Sequence, residues 1–154
     1  MKKIILWAAA FALMALIFCF SAQPQDKSNS TSLTVTEKVV NILPQTKNLE
    51  AQEKAKIVTN WNGAIRKYAH FSLYLLLGAV LLLAFHLTGK SAQKAWLFAL
   101  AICLCYAALD EAHQMFVPGR GPQLRDVGID FCGALLSCTL LAGVFALRQR
   151  LRKK

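Results

Sequence analysis

Three long apolar segments each carry a row of polar or small side chains whose spacing, mostly three or four positions, matches the turns of an α-helix. The rows are Arg66, His70 and Tyr74 in the first segment, Tyr106, Asp110, His113 and Gln114 in the second, and Asp126, Asp130, Gly133 and Ser137 in the third. This spacing places the members of each row on one face of an α-helix. Ionisable groups on apolar helices usually face a partner, a cavity or a ligand, so the rows indicate a shared polar site.

The charges in and near these rows suit the binding of an anion and the transfer of a proton. The cations are Arg66, Lys67, Arg120 and Arg125. Arginine binds phosphate or carboxylate bidentately, and a helix N-terminus near Asp126 also favours an anion. The carboxylates are Asp110, Glu111, Asp126 and Asp130. His70 and His113 are available for proton transfer, and the candidate catalytic residues are Glu111 and His113.

We therefore predict one ligand-binding set, which comprises Arg66, Lys67, His70, Tyr74, Asp110, Glu111, His113, Gln114, Arg120, Asp126 and Asp130. A structural alternative stays open, because an arginine paired with Asp110 or Asp130 could simply lock two helices together. The tyrosines could equally be packing residues with a satisfied hydroxyl. Four side chains could ligate zinc, namely His70, His113, Glu111 and Asp130. No known ligand spacing such as H-E-x-x-H occurs, so we expect no metal and no cofactor.

The composition indicates what kind of protein holds these rows. The 154 residues are 56% hydrophobic and 17% charged, with a mean hydropathy of +0.42. These values exclude a disordered chain and disfavour a water-soluble enzyme. The formal net charge is +10, yet the 18 basic residues lie mostly at the ends of long apolar runs. The charge therefore indicates membrane topology and no nucleic-acid partner.

Four stretches are long and apolar enough to cross a bilayer, which takes about 20 helical residues. They are roughly 4–20, 68–87, 95–109 and 127–147. We expect the third helix to continue through Asp110 and Glu111 towards Met115 at the membrane surface. Spans without alternating polarity cannot be barrel strands, so helices are the only candidate. The sequence predicts an all-α, membrane-embedded four-helix bundle.

The basic residues also predict the orientation of the bundle. Nine of them precede the first span, separate the second from the third or follow the fourth, and no acidic residue accompanies them. By the positive-inside rule both termini are cytoplasmic, residues 21–67 form a longer first extracytoplasmic loop, and the polar rows lie at external helix ends. A cleaved signal peptide over residues 1–22 is the alternative. Phe20 does not fit the small-residue cleavage pattern, so we expect a retained anchor.

The long loop over residues 21–67 has weaker signals. Ser32 is placed to cap a short amphipathic helix that Pro44 would end. A second helix is expected over 49–58, running up to Trp61 as an interfacial anchor. We expect the loop as a whole to be a solvated connector that rests on the membrane surface.

The three polar rows can satisfy one another only if their helices converge, so we infer a shared pocket near the outer interface. Small residues would let two of these helices approach closely; they are Gly78, Ala79, Gly133 and Ala134. The connector over 116–122 contains two prolines and two glycines, which would hold Arg120 in a restricted position.

Together these segments resemble the VanZ-like family of small bacterial membrane proteins. The matching pieces are S-A-Q-P at 21–24, R-K-x-A-H-F-x-x-Y at 66–74, L-G at 77–78 and D-E-x-H-Q-x-F-V-P-G-R at 110–120, followed by D-V at 126–127 and D-x-x-G at 130–133. Many relatives carry an amide in place of Asp130. The resemblance runs from the first span to the fourth and implies a single VanZ-like domain over 1–154.

The resemblance implies a multi-pass protein of the bacterial cytoplasmic membrane with a role in the cell envelope. The name-giving member of the family is associated with resistance to the glycopeptide teicoplanin. We expect membrane lipids as partners, and an anionic lipid head group, a cell-wall precursor or a drug in the pocket.

Two other functions stay open. One is a membrane-embedded hydrolase or transferase acting on an outer-leaflet lipid or cell-wall intermediate, with Glu111 or His113 as its acid or base and Arg120 stabilising negative charge. The sequence has no G-x-S-x-G serine elbow to support it. The other is a transporter, for which four spans without an internal repeat are few.

Overall fold

The computed structural model describes residues 1–151, which form helices joined by short connections. Five α-helices follow one another: α1 (Lys2–Ser21), α2 (Gln25–Ile42), α3 (Ala51–Leu87), α4 (Ala92–Gln114) and α5 (Leu124–Leu151). A short 3₁₀ turn, Pro44–Thr46, lies between α2 and α3. The predicted all-α class is confirmed. Part of the basic C-terminal cluster used for the orientation lies outside the described residues; these are Arg152, Lys153 and Lys154.

Within residues 1–151, four helices are long and apolar enough to cross a membrane: α1, α3, α4 and the Leu124–Arg148 part of α5. Large apolar side chains on them remain exposed on the outside of the bundle, among them Phe11, Leu76, Leu109 and Leu140. So much exposed apolar surface indicates contact with lipid. The predicted four-helix membrane bundle is therefore confirmed.

The α4 helix continues beyond residue 109, as the sequence predicts. Ser91 caps its start, with the Ser91 hydroxyl oxygen accepting the backbone N–H of Lys94 at 3.3 Å. Its last turns contain Asp110 and Glu111, and both side chains are buried. These two acids therefore lie inside the bundle and not on the exposed surface near Met115.

The α2 helix begins earlier than the sequence indicates. It starts at Gln25, directly after the extended residue Pro24. Ser32, the predicted N-cap, lies in the interior of the helix and donates a hydrogen bond to the carbonyl of Asn29 at 3.0 Å. The predicted cap was wrong, because a serine hydroxyl can also bond to the preceding turn of its own helix. The predicted end is correct, since α2 stops at Ile42 shortly before proline 44.

The α3 helix joins two helical segments that the sequence predicts separately. Instead of one helix over 49–58 and a separate span over 68–87, it is a single helix of 37 residues. No proline interrupts it, and a capping box between Glu50 and Glu53 fixes its start. At 1.5 Å per residue it extends roughly 55 Å, well beyond a hydrocarbon layer of about 30 Å. Its length therefore exceeds what a single crossing requires, and α2 packs against its N-terminal part, where the side-chain amide of Asn62 donates a hydrogen bond to that of Asn29.

The contact between α3 and α5 depends on two glycines that the sequence analysis singled out. A β-carbon at Gly78 would lie 2.9 Å from Cα of Ala134. A β-carbon at Gly133 would collide with the backbone carbonyl of Phe71. The two helices therefore approach closely at two points, and at each of them a glycine leaves room for the backbone of the other helix.

The α1 helix is part of the bundle core. Ile17 and Ser21 are fully buried, and the hydroxyl of Tyr106 donates a hydrogen bond to the carbonyl of Met14 at 2.6 Å. Near the opposite end of α1, Trp7 packs edge-on against Phe85 with ring centroids 5.0 Å apart. These contacts join α1 to α4 and to α3.

Candidate functional site

A polar cavity of about 100 Å³ lies at the end of the bundle where α4 ends and α5 begins. We call it the polar pocket. All three polar rows contribute to its wall, and the predicted residues that line it are Arg66, Lys67, His70, Glu111, Gln114, Arg120, Asp126 and Asp130. They come from α3, α4, α5 and the connector before α5, so helix packing brings together groups that are distant in the chain.

Three predicted binding residues do not line the polar pocket. Tyr74 is fully buried, with its ring centroid 6.3 Å from that of Tyr106. His113 packs against Phe18 of α1 at a centroid distance of 4.7 Å. Asp110 is buried and accepts hydrogen bonds from neighbouring side chains. One cation from the sequence analysis is also absent from the wall, the exposed Arg125.

The cations of the polar pocket differ in how they are paired. The ammonium of Lys67 lies 3.0 Å from a carboxylate oxygen of Asp126. Within residues 1–151, neither Arg66 nor Arg120 forms an ion pair. The structural alternative was that an arginine pairs with Asp110 or Asp130 and locks two helices together. These residues do not form such a pair.

Arg120 combines burial with an unused donor. Its Nη2 atom is buried and has no hydrogen-bond partner within residues 1–151. Burial, together with the positive charge of Arg66, lowers the pKa of the Arg120 guanidinium below its usual value. A guanidinium stays charged at neutral pH nevertheless. The pocket therefore contains the partly desolvated positive charge of Arg120, which has an unused hydrogen-bond donor.

The position of Arg120 depends on Glu111 and on a glycine. A carboxylate oxygen of Glu111 accepts the backbone N–H of Gln123 at 2.8 Å, which ties the end of α4 to the connector. Gly119 has φ of +77°, a conformation that L side chains rarely adopt. Glu111 therefore fastens the loop that carries Arg120, in addition to lining the pocket.

A histidine and two aspartates meet at one side of the polar pocket. The Nδ1 atom of His70 lies 3.7 Å from Oδ2 of Asp130. His70, Asp110 and Asp130 each offer one ligating atom, and these atoms lie within 4.8 Å of one another. Ser21 donates a hydrogen bond to Oδ2 of Asp110 at 2.6 Å, and the side-chain amide of Gln114 approaches both.

Several residues of the site were missed by the sequence analysis. The backbone N–H of Gln25 bonds to the carbonyl of Pro118 at 3.2 Å, and Gln25 lines the polar pocket beside Gly119. Ser21 belongs to the S-A-Q-P motif, but the sequence did not predict its hydrogen bond to Asp110. Its place in the S-A-Q-P run was the available signal. Gln25 contacts the connector through its backbone N–H and through its side chain beside Gly119, and no helical spacing in the sequence indicates this contact.

An apolar cavity of about 210 Å³ adjoins the polar pocket between α1, α2 and α3. We call it the apolar groove. Its apolar lining residues are Phe20, Val35, Ile65, Ala69 and Leu73. Arg66 and His70 line both cavities. A ligand with a charged end and an apolar end can therefore contact both cavities across these two side chains.

Comparison with known proteins agrees with the motifs. No curated protein and no solved structure matches the chain significantly. A family model described as VanZ/LLP1 matches residues 6–146, which include every residue of the polar pocket. The resemblance carried by the motifs is confirmed, and the chain belongs to the VanZ/LLP1 family.

Proposed function

We propose that the polar pocket binds the anionic head group of a membrane lipid or lipid-linked cell-wall precursor. The observation that carries this proposal is the buried Nη2 atom of Arg120, which has no partner within the described part of the chain. Buried donors in proteins are nearly always hydrogen-bonded. A phosphate or carboxylate oxygen would satisfy this donor and neutralise the charge. Arg66 adds a second guanidinium to the same wall, and it forms no ion pair with any residue that the structure describes.

The apolar groove supports an amphiphilic ligand over a small free anion. It adjoins the polar pocket at Arg66 and His70 and is larger than the pocket itself. In this proposal the head group contacts the arginines while the first part of the hydrocarbon tail lies beside Ile65 and Leu73. Burial of apolar tail surface contributes roughly 25 cal/mol per Å².

We place the protein in the bacterial cytoplasmic membrane with both termini inside and the polar pocket at the outer face. The support is the uneven distribution of basic residues along the chain. A pocket at this face is open to lipid-linked precursors and to drugs that reach the membrane from outside. Protection against teicoplanin-type glycopeptides would then follow from occupation of this pocket by the precursor or by the drug.

Lipid binding by the purified chain in detergent micelles tests the proposal. Native mass spectrometry would compare phosphatidylglycerol with phosphatidylcholine of the same acyl chains. We expect preferential 1:1 retention of phosphatidylglycerol, and a loss of about tenfold in affinity for Arg120→Gln, as removal of one charge-assisted contact predicts.

Arg125→Gln is the matched control, because Arg125 is exposed and lies outside the pocket wall. It should bind like the wild type. Competition by inorganic phosphate alone separates recognition of the head group from burial of the tail. Equal retention of the two lipids, or an equal loss in both variants, would contradict the proposal.

The pair of His70 and Asp130 favours a second candidate, a membrane-embedded hydrolase or transferase. The two side chains lie 3.7 Å apart beside the arginines, an arrangement that can hold a proton next to a bound phosphate ester. Product formed from a lipid phosphate by the wild type and not by His70→Gln would establish this activity. Stable binding without product would leave the binding function alone.

A further inference from the structure

Three helices bring one metal-ligating side chain each to the same point. His70 lies on α3, Asp110 on α4 and Asp130 on α5. One ligand atom from each lies within 4.8 Å of the other two. No two of these residues are neighbours in sequence, so their meeting results from the packing of α3, α4 and α5.

Burial makes this group unlike an ordinary acidic surface cluster. Asp110 is 4% exposed and Asp130 is 2% exposed. Two carboxylates at this depth repel one another unless positive charge compensates them. A protonated His70 would compensate one of them, and the nearby guanidinium of Arg120 forms no ion pair with either.

Unpartnered polar atoms at this point indicate a ligand. Oδ2 of Asp110 accepts the hydroxyl of Ser21, whereas Oδ1 is buried and has no hydrogen-bond partner within residues 1–151. The fully buried hydroxyl of Tyr74, one helical turn after His70, also has no partner there. A buried carboxylate oxygen without a partner is costly, and a cation is the partner that its negative charge favours.

We propose that His70, Asp110 and Asp130 bind a divalent transition metal, with Zn²⁺ the best match. One imidazole nitrogen and two carboxylate oxygens belong to the donor types that Zn²⁺ uses, and three protein ligands leave its fourth position open. His70 and Asp130 also line the polar pocket, so the proposed metal position adjoins it. The hydrogen bond from Ser21 orients Asp110, as outer partners of metal ligands commonly do.

This site stands independently of the proposed lipid binding, but it predicts an effect on it. A divalent cation beside Arg66 and Arg120 would increase the positive potential of the polar pocket. Metal and anion would then strengthen each other's binding by the same factor, as linkage requires.

Metal binding by the full chain, purified without a histidine tag, tests the inference. After removal of metals with a chelator, the protein in micelles would be incubated with Zn²⁺, dialysed and analysed for bound metal. We expect one Zn²⁺ per chain. Asp110→Asn and Asp130→Asn should each weaken binding by about tenfold or more, by analogy with changes around metal ligands. Asp26→Asn, at an exposed position on α2, is the matched control and should retain the metal.

A spectroscopic measurement keeps the test decisive if an aspartate variant fails to accumulate. Co²⁺ in the wild-type site should give the visible absorption of a low-coordinate protein site, and excess Zn²⁺ should abolish it. Absence of stoichiometric Zn²⁺ and of this absorption in the folded wild type would overturn the proposal, whether or not the lipid binds. Equal metal loss in Asp26→Asn and Asp110→Asn would also overturn it.

Discussion

The hydroxyl of Ser21, in the last residue of α1, donates a hydrogen bond to Oδ2 of Asp110 on α4 at 2.6 Å, and both side chains are buried. This bond joins the first helix to the third membrane span at the level of the polar pocket. The first helix therefore contributes directly to the surroundings of the site. Cleavage of residues 1–22 as a signal peptide would remove this contact together with the buried side chain of Ile17.

Ser21→Ala should destabilise the bundle by about 1.5–3 kcal/mol, because it removes a hydrogen bond to a buried carboxylate. Thermal unfolding in detergent would measure the change. Ser30→Ala is the control, since the exposed Ser30 hydroxyl donates its hydrogen bond to the carbonyl of Lys27 in its own helix. A melting temperature that falls equally in both variants would argue against a special role for the bond from Ser21.

Gly133→Ala should destabilise the contact between α3 and α5 by at least about 1–3 kcal/mol, the cost of overpacking. The added methyl group would meet the backbone carbonyl of Phe71, which cannot move without displacing α3. Gly143→Ala on the same helix has open space around it and should be neutral or slightly stabilising. Unfolding of both variants in a denaturing detergent would test the difference. Similar stability of the two would show that the helices do not approach as described.

Glu111→Ala should release the connector that carries Arg120, whereas Glu111→Gln should not. The backbone N–H of Gln123 needs an acceptor, and the amide oxygen of a glutamine can replace the carboxylate oxygen. Limited proteolysis with trypsin, which cuts after Arg120 and Arg125, would report the difference as faster cleavage of the alanine variant alone. Rapid cleavage of both variants would mean that the connector requires the charge itself.

Expression of the chain in a sensitive Gram-positive host should raise its resistance to teicoplanin, as a consequence of the proposed pocket. Arg120→Ala and Asp110→Asn should abolish the protection at matched membrane levels, because they remove the anion-binding donor and alter the buried carboxylate group. Arg125→Ala should preserve it. Susceptibility assays with teicoplanin and vancomycin would measure the effect. No protection by the wild type would separate this chain from a role in resistance.

The sequence predicted the helix faces better than the helix bounds. A spacing of three or four residues in the polar rows is set by the 3.6-residue period of the helix, so the shared location of Arg66, Asp126 and Asp130 could be inferred without coordinates. Polar residues outside the spans carry a weaker signal. Ser32 was read as a cap, although serine is also tolerated within α2.

The predictions were poorest where function depends on the relative positions of different helices. His70, Asp110 and Asp130 have no local spacing that suggests one cluster, so the sequence did not group these three side chains. The close contact of α3 and α5 at Gly133 brings His70 near Asp130, and the packing of α4 against both helices adds Asp110. Similarly, the sequence does not show that the ring of His113 packs against Phe18 of α1 instead of lining the pocket.

The unbroken course of α3 gives the polar pocket a mechanical property. Arg66, Lys67 and His70 lie near the middle of a helix that has no break between Ala51 and Leu87. Sharp bends in helices arise at prolines and similar interruptions, and none divides α3. A displacement of its N-terminal half, against which α2 packs, would therefore be transmitted along the helix to all three of these side chains and would not be absorbed by a hinge.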